Sequence, residues 1–315
     1  MRVWRALESI EADEVAGGTV VTIGNFDGVH RGHQQVVAGV VLRARETGTR
    51  AVVTTFAPHP MTVIHPDSAP LRLTSLERRL DILGRLGVDA VLVLPFTREL
   101  SLWEPAEFVA KVLVDGLNVT EVHVGESFRF GHRAAGTLET LRDEGARHGF
   151  VVQAVPLAGD RARWSSTYVR QCLAEGDTTA AAEALGRPHR VEGPVVEGDE
   201  RGRELGYPTA NLALEDTVAI PVDGVYAGWL VRADGDRLPA AISIGTNPTF
   251  GGTTRRVEAY ALDRDDLELY GEHVGVEFAA RLRDTITFAG VEPLIEQMAR
   301  DVERARILLL GREVG

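Results

Sequence analysis

Two histidines three residues apart, His30 and His33, end the run Thr22-Ile23-Gly24-Asn25-Phe26-Asp27-Gly28-Val29-His30-Arg31-Gly32-His33. At a helix entrance, residues so spaced share a face, and two imidazoles there can aim donors at one phosphoryl group. The glycines before them let the backbone approach a ligand closely. The start of the following helix, with a dipole worth about half a positive charge, favours an anion. A bare His-x-x-His also occurs as surface residues or as metal ligands. The phosphate reading rests on strand, Gly-rich turn, histidines and helix following in one run, with no carboxylate or cysteine nearby that completes a zinc set.

Three further groups carry possible chemistry. Ser165-Ser166-Thr167-Tyr168-Val169-Arg170 precedes a short helical run. It reads as a plain N-cap or as a holder for a phosphate tail, and the two are compatible. Gly202-Arg203-Glu204-Leu205-Gly206-Tyr207-Pro208-Thr209-Ala210-Asn211 is, by composition, a glycine- and proline-punctuated turn. Glu258, in a short strand-like run, reads by itself as a solvated carboxylate.

These residues need elements to position them. Residues 20–23, 51–56, 88–94, 122–124 and 150–155 read as strands, and 34–46, 75–86, 105–116 and 137–148 as helices. Such alternation predicts an α/β parallel sheet with helices on both faces, and ligands bind beyond the carboxyl ends of such strands. The His30 turn, residues 56–60 and residues 124–131 all lie at such ends. After a short helix at 178–185 the texture changes at Gly186. Runs at 189–196, 224–232, 238–244, 256–262 and 273–278 then follow without helices, separated by Gly, Asp and Pro. They predict a small antiparallel β-barrel. An amphipathic helix over 293–310 is expected to cover one mouth of it.

The 315 residues suffice for two domains, divided near 186 into 1–186 and 187–315. The hydrophobic share of 44% and charged share of 25% are those of an ordinary globular protein. A formal net charge of -12 argues against a nonspecific grip on nucleic acid. A single cysteine, Cys172, excludes an internal disulfide and fits a reducing compartment. No apolar stretch is long enough to span a membrane and no leader is evident, so a cytoplasmic location is expected. The oligomeric state is not legible.

The run Gly24 to His33 resembles the signature of the nucleotidyltransferase superfamily with a His-x-Gly-His motif, and in full that of the prokaryotic bifunctional riboflavin kinase/FAD synthetases. The segment 165–170 is similar to the superfamily's Ser-Ser-Thr-x-x-Arg motif, and 202–211 to the riboflavin kinase signature. The resemblance implies a Rossmann-like nucleotidyltransferase sheet followed by a riboflavin kinase-like barrel and a terminal helix. It implies two reactions, riboflavin with ATP giving FMN, and FMN with ATP giving FAD and pyrophosphate. In the first half it assigns His30 and His33 to catalysis, and Gly24, Asn25, Asp27, Ser165, Ser166, Thr167 and Arg170 to the nucleotide. In the second it assigns Gly206, Thr209 and Asn211 to ATP, the last two also to Mg²⁺, and Glu258 to the general base. Residues 243–250 resemble a segment near the kinase substrates.

Departures from the family pattern are Ser127, where Asp or Asn is usual, Trp164 in place of Ile, Tyr260 in place of His, and Asp263-Arg264 in place of Asp-Phe. The last two fall near the flavin pocket that the resemblance implies. Other functions weighed are a flavin sensor that has lost chemistry and a nucleotidyltransferase with another phosphate acceptor. Both histidines, Arg170, Thr209, Asn211 and Glu258 speak against the first, and the kinase-like half speaks against the second. Arg281 and Arg283 are read as solvated charges or as phosphate-facing.

Overall fold

The computed structural model describes residues 1–156, 164–198, 206–246, 255–264 and 266–311. Two compact units divide the chain, Met1–Pro70 with Ser75–Trp164 and Leu71–Thr74 with Ser165–Gly315. Parts of the runs singled out above, 202–205 and 247–250, lie outside the described residues.

The first unit is a six-stranded parallel sheet in the order β1-β4-β3-β2-β5-β6. Its strands are Arg2–Trp4, Thr19–Ile23, Arg50–Ala57, Ala90–Pro95, Val119–Gly125 and Val151–Val155, numbered β1 to β6 in chain order. Between them run α1 (Ala12–Val15), α2 (Arg31–Thr47), α3 (Pro60–Ile64), α4 (Leu76–Arg85), α5 (Pro105–Phe108), which continues in wider π turns to Gly116, and α6 (Leu138–His148). β2 is buried along its whole length, as a central parallel strand must be when both faces are covered. Its neighbours show how the coverage works. Val20, Ala51 and Val53 pack under Val37, Val40 and Val41 of α2 and Leu80 and Leu83 of α4. Val21, Val52 and Val122 pack on the opposite face under Phe108, Val112, Leu113 and Leu141. Burying a valine such as Val37 contributes about 1.5–3 kcal/mol.

From β2 the chain runs outward to β3 and β4, then crosses back to β5 on the other side of β2. The strand order therefore reverses between β2 and β5, and the crevice beyond their carboxyl ends is the place such sheets offer a ligand. β1 was missed by the sequence reading because three residues at a sheet edge show no periodicity.

The second unit holds α7 (Ser166–Glu175), α8 (Thr178–Leu185) and a closed barrel in the order β10-β11-β8-β7-β12-β9. Its strands are β7 (His189–Val196), β8 (Ala210–Leu212), β9 (Gly224–Val231), β10 (Arg237–Thr246), β11 (Arg255–Ala261) and β12 (His273–Arg283), all paired antiparallel. β8 overlaps the end of the run read as a turn; it is too short to alternate visibly, yet it joins β7 to β11 and so completes the ring. Alternate residues such as Val191, Leu212, Ile242, Val257 and Val276 fill the interior. Val169, Cys172, Leu173, Ala181 and Leu185 of α7 and α8 pack with Leu73 and Ala219. The division of contacts at Trp164 and the change from helix to strand at 186 are thus separate features of the chain.

The terminal helix α9 (Val291–Leu310) corrects one expectation. It lies on the outer wall of the barrel, where Ala305 packs with Ala227, Leu262 and Leu282. Small side chains on that wall, Ala227 and Ala241, let the helix come close. Arg283 is held by both oxygens of Asp301 in α9, at 3.0 and 2.9 Å, and Arg281 pairs with Asp284 at 2.7 Å. These two arginines therefore serve ion pairs of the barrel wall.

Candidate active sites

At the switch point of the parallel sheet, β2 ends at Ile23 and a tight turn from Gly24 leads to α2. Phe26 and Val29 in this turn have positive φ, 50° and 39°, which a β-branched valine adopts only where the surroundings compel it. Both are buried, and Gln34 donates to the Val29 carbonyl at 2.8 Å. Asp27 is buried in the same turn.

His30 is the N-cap of α2, and its Nδ1 accepts from the backbone N–H of His33 at 3.3 Å. A neutral ring that accepts at Nδ1 carries its hydrogen on Nε2, so the cap also sets the tautomer. The rings of His30 and His33 stack with centroids 3.6 Å apart, and Phe26 tilts against His33 at 4.9 Å. Gly32 makes the stack possible, since a methyl group there would meet the His30 ring and the Trp164 carbonyl at 3.2 Å. His33 Nδ1 is buried without a hydrogen-bond partner. Burial, then the neighbouring His30 and Arg79, hold the proton affinity of His33 well below the ordinary value. His33 is therefore uncharged at neutral pH and works as a hydrogen-bonding ring.

Asn25 extends the group. Its carboxamide lies 3.4 Å from His59 Nε2, and its carbonyl accepts from Thr55 Oγ1 at 3.1 Å. His59, two residues beyond the end of β3, is the N-cap of α3, with Nδ1 accepting from Met61 N–H at 3.2 Å. The carboxamide atom that faces the ring is Nδ2. Ser127 is exposed in the loop after β5, while Phe128 stacks on buried Phe130 as packing.

In the second unit, Ser165 is the N-cap of α7, accepting from Tyr168 N–H at 3.1 Å. Ser166 and Thr167 form the first turn of that helix, and Arg170 donates from Nε to the Leu71 carbonyl at 2.6 Å.

The second site lies on the outside of the barrel. Asn211, Glu258 and Ser243 are directly opposite one another across β8, β11 and β10, and Val196 of β7 continues the row. Residues between them, Ala210, Leu212, Val257 and Ala259, point into the core, so the row faces outward. In such pairs Cβ atoms are about 5 Å apart, which places the Asn211 and Glu258 side chains side by side. Asn211 is buried, and its Nδ2 donates to the Thr209 carbonyl at 3.3 Å and meets Thr209 Oγ1 at 3.5 Å. Those bonds orient the carboxamide and leave Oδ1 buried with no partner. Gly198 lies so close that any Cβ would overlap that carboxamide. Gly206 begins the approach to Thr209, and Tyr207 sets its ring edge against Tyr260, centroids 5.2 Å apart.

A family model described as FAD synthetase matches residues 12–168, and one described as riboflavin kinase matches residues 185–309. The bifunctional riboflavin kinase/FMN adenylyltransferase of Escherichia coli K12 is 39% identical over 290 residues, 92% of each chain. That of Pseudomonas fluorescens is 40% identical over 310 residues, 98% of each. This chain belongs to the bifunctional riboflavin kinase/FMN adenylyltransferase family. A member from Bacillus subtilis is 33% identical over 91% of each chain. A crystal structure described as a macrolide-efflux protein from Streptococcus pneumoniae shares the fold, with TM-score 0.85 and 32% identity over 96% of this chain and 98% of that one. No helix among the described residues is long and apolar enough to cross a membrane.

Within this family framework, two side chains near the first site were underweighted by the sequence. His59 shows no ligand spacing; the sequence marks it only as closing a strand on the ligand edge, and the fold brings it to Asn25. Arg79 did leave a signal, since it falls between Leu76, Leu80 and Leu83 on the apolar stripe of α4, where a charge needs a reason.

Proposed function

We infer that the chain phosphorylates riboflavin to FMN with one ATP and adenylylates FMN to FAD with a second. The kinase reaction is assigned to residues 187–315 and adenylyl transfer to 1–186. The observation that best supports two sites is that each candidate group contains a buried, orphaned polar atom, His33 Nδ1 in one and Asn211 Oδ1 in the other. Unsatisfied buried groups are costly, and a bound nucleotide or its metal supplies the missing partner.

In the kinase step the riboflavin 5′-hydroxyl oxygen bonds to the γ-phosphorus of ATP and ADP leaves. Glu258 takes the hydroxyl proton, a role its place beside Asn211 suits. The residues fit Mg²⁺: Asn211 Oδ1 is a buried hard oxygen without a partner, and Thr209 offers a hydroxyl 3.5 Å from Nδ2 of the same carboxamide. Thr209 and Asn211 would hold the ion together with nucleotide phosphates, and when bound it neutralises phosphate charge.

In the second step an oxygen of the FMN phosphate bonds to the α-phosphorus of ATP and pyrophosphate leaves. The nucleophile is already ionised, so alignment and charge neutralisation suffice. His30 and His33 contribute donors. Gly24, Asn25 and Asp27 shape the nucleotide turn, and Ser165, Ser166, Thr167 and Arg170 offer hydroxyls, N–H groups and a cation to the phosphates. ATP as co-substrate, and a lone cysteine that is buried with its thiol proton affinity raised by that burial, support a cytoplasmic enzyme. The charge of -12 supports one that does not grip nucleic acid.

Purified chain incubated with riboflavin, ATP and Mg²⁺, and separately with FMN and ATP, tests this by chromatography of the flavins. FAD from both mixtures is the expected result. FMN alone from riboflavin, with none carried onward, would take adenylyl transfer away from the first half.

A further inference from the structure

A buried arginine stands behind the histidine turn with no role in the chemistry above. Arg79 projects from α4 and is only 4% exposed. Removing a guanidinium from water is costly, so its contacts must be worth having. Nη1 donates to Thr55 Oγ1 at 3.1 Å and to the Phe56 carbonyl at 3.2 Å, both at the carboxyl end of β3. Thr55, itself fully buried, passes the constraint on: its hydroxyl donates to the Asn25 carbonyl at 3.1 Å. Asn25 is the second residue of the turn and meets His59 through its side chain.

We propose that Arg79 is a positioning residue for adenylyl transfer, holding the Asn25 backbone through Thr55 and thereby the Asn25–His59 pair at the ends of β2 and β3. This deepens, and rests on, the assignment of adenylyl transfer to the first half. Both bonds leave one nitrogen, Nη1, whose hydrogens the planar guanidinium holds in fixed directions where an ammonium would rotate freely. Arg79 also acts through space. After burial itself, the neighbours that lower the proton affinity of His33 are His30 at the same helix entrance and Arg79 from α4. One buried cation thus adds to the burial that keeps a ring uncharged, and holds a turn in place.

The test uses the full chain as wild type, Arg79→Met, Arg79→Lys and Thr55→Val. For each, FMN adenylylation is resolved into kcat and KM, riboflavin phosphorylation by the same preparation is measured as an internal control, and the His33 ring is titrated by NMR. In Arg79→Met, adenylylation kcat should fall at least tenfold with KM for ATP within about twofold, since misplacement by an ångström costs rate. Its His33 should titrate closer to the ordinary value. Arg79→Lys keeps the charge, so His33 should titrate as in wild type while kcat still falls. Thr55→Val should lower kcat several-fold with His33 unmoved. Wild-type kcat in both Thr55→Val and Arg79→Lys overturns the proposal, even if Arg79→Met fails to fold. A lowered melting temperature with unchanged kcat overturns it as well, by making the contact purely structural. If the wild type itself makes no FAD, the assigned reaction fails first, and the proposal with it.

Discussion

The two candidate sites are built in opposite ways. The first gathers on one short stretch of chain, from Gly24 to His33, folded into a turn at the end of β2. The second is a row drawn from β7, β8, β11 and β10, one residue from each strand, on the outside of a barrel whose inside is packed. A turn site depends on backbone conformation, hence positive φ at Phe26 and Val29 and the glycine beneath the stacked histidines. A register site depends on pairing, and slipping a strand by one residue would send Glu258 into the core and Val257 outward. Both sites nonetheless bring a polar atom into burial and leave it without a partner.

Substitutions can break this contrast at either end. The largest effect is expected for Glu258→Gln, which should lower riboflavin phosphorylation by about 10² to 10⁴ while FMN adenylylation by the same preparation continues. A separate assay of each reaction checks it, and full kinase activity in the variant would remove Glu258 as the base. His33→Ala should reverse the pattern, reducing adenylylation by about 10²-fold or more with phosphorylation intact. An unchanged FAD rate in a normally folded variant would take the histidine out of the mechanism.

Gly198→Ala sharpens the comparison, because its Cβ would displace the Asn211 carboxamide. Kinase turnover should drop about tenfold or more, with the Mg²⁺ dependence moved to higher concentration. A wild-type Mg²⁺ titration would count against Asn211 as a ligand.

The smallest effect concerns pH. His33 has its pKa depressed well below 6.5 in the folded chain. As pH falls below that value the unfolded chain takes up a proton that the native site refuses, so stability declines toward the depressed native pKa. Above the ordinary value this contribution to the pH dependence vanishes. Between pH 8 and 5 the melting temperature of the wild type should fall more steeply than that of His33→Gln; parallel curves would place the acid sensitivity elsewhere.

The Gly24–His33 turn, the helix pattern of Val36, Val37, Val40 and Val41, and the alternation of β7 were legible in the chain because each is a local pattern of residue types. β1 and β8 were not, being three residues each, and α9 was expected over a barrel mouth when it packs on the outer wall. His59 and Arg79 were hard to weigh for a related reason. Their importance comes from neighbours distant in sequence, Asn25 for one and Thr55 and Phe56 for the other.

By itself, then, the sequence determined the element types, the two-part architecture and the contiguous motifs, since strand and helix periods and a glycine-bearing turn are written in adjacent residues. Only the tertiary structure decided that His33 is kept neutral, that Asn211 lies opposite Glu258, and that Arg79 braces Asn25. Those facts depend on which strands become neighbours, in what register, and how completely water is excluded between them. No window of sequence contains those quantities, because each is a property of segments that meet only when the chain is folded.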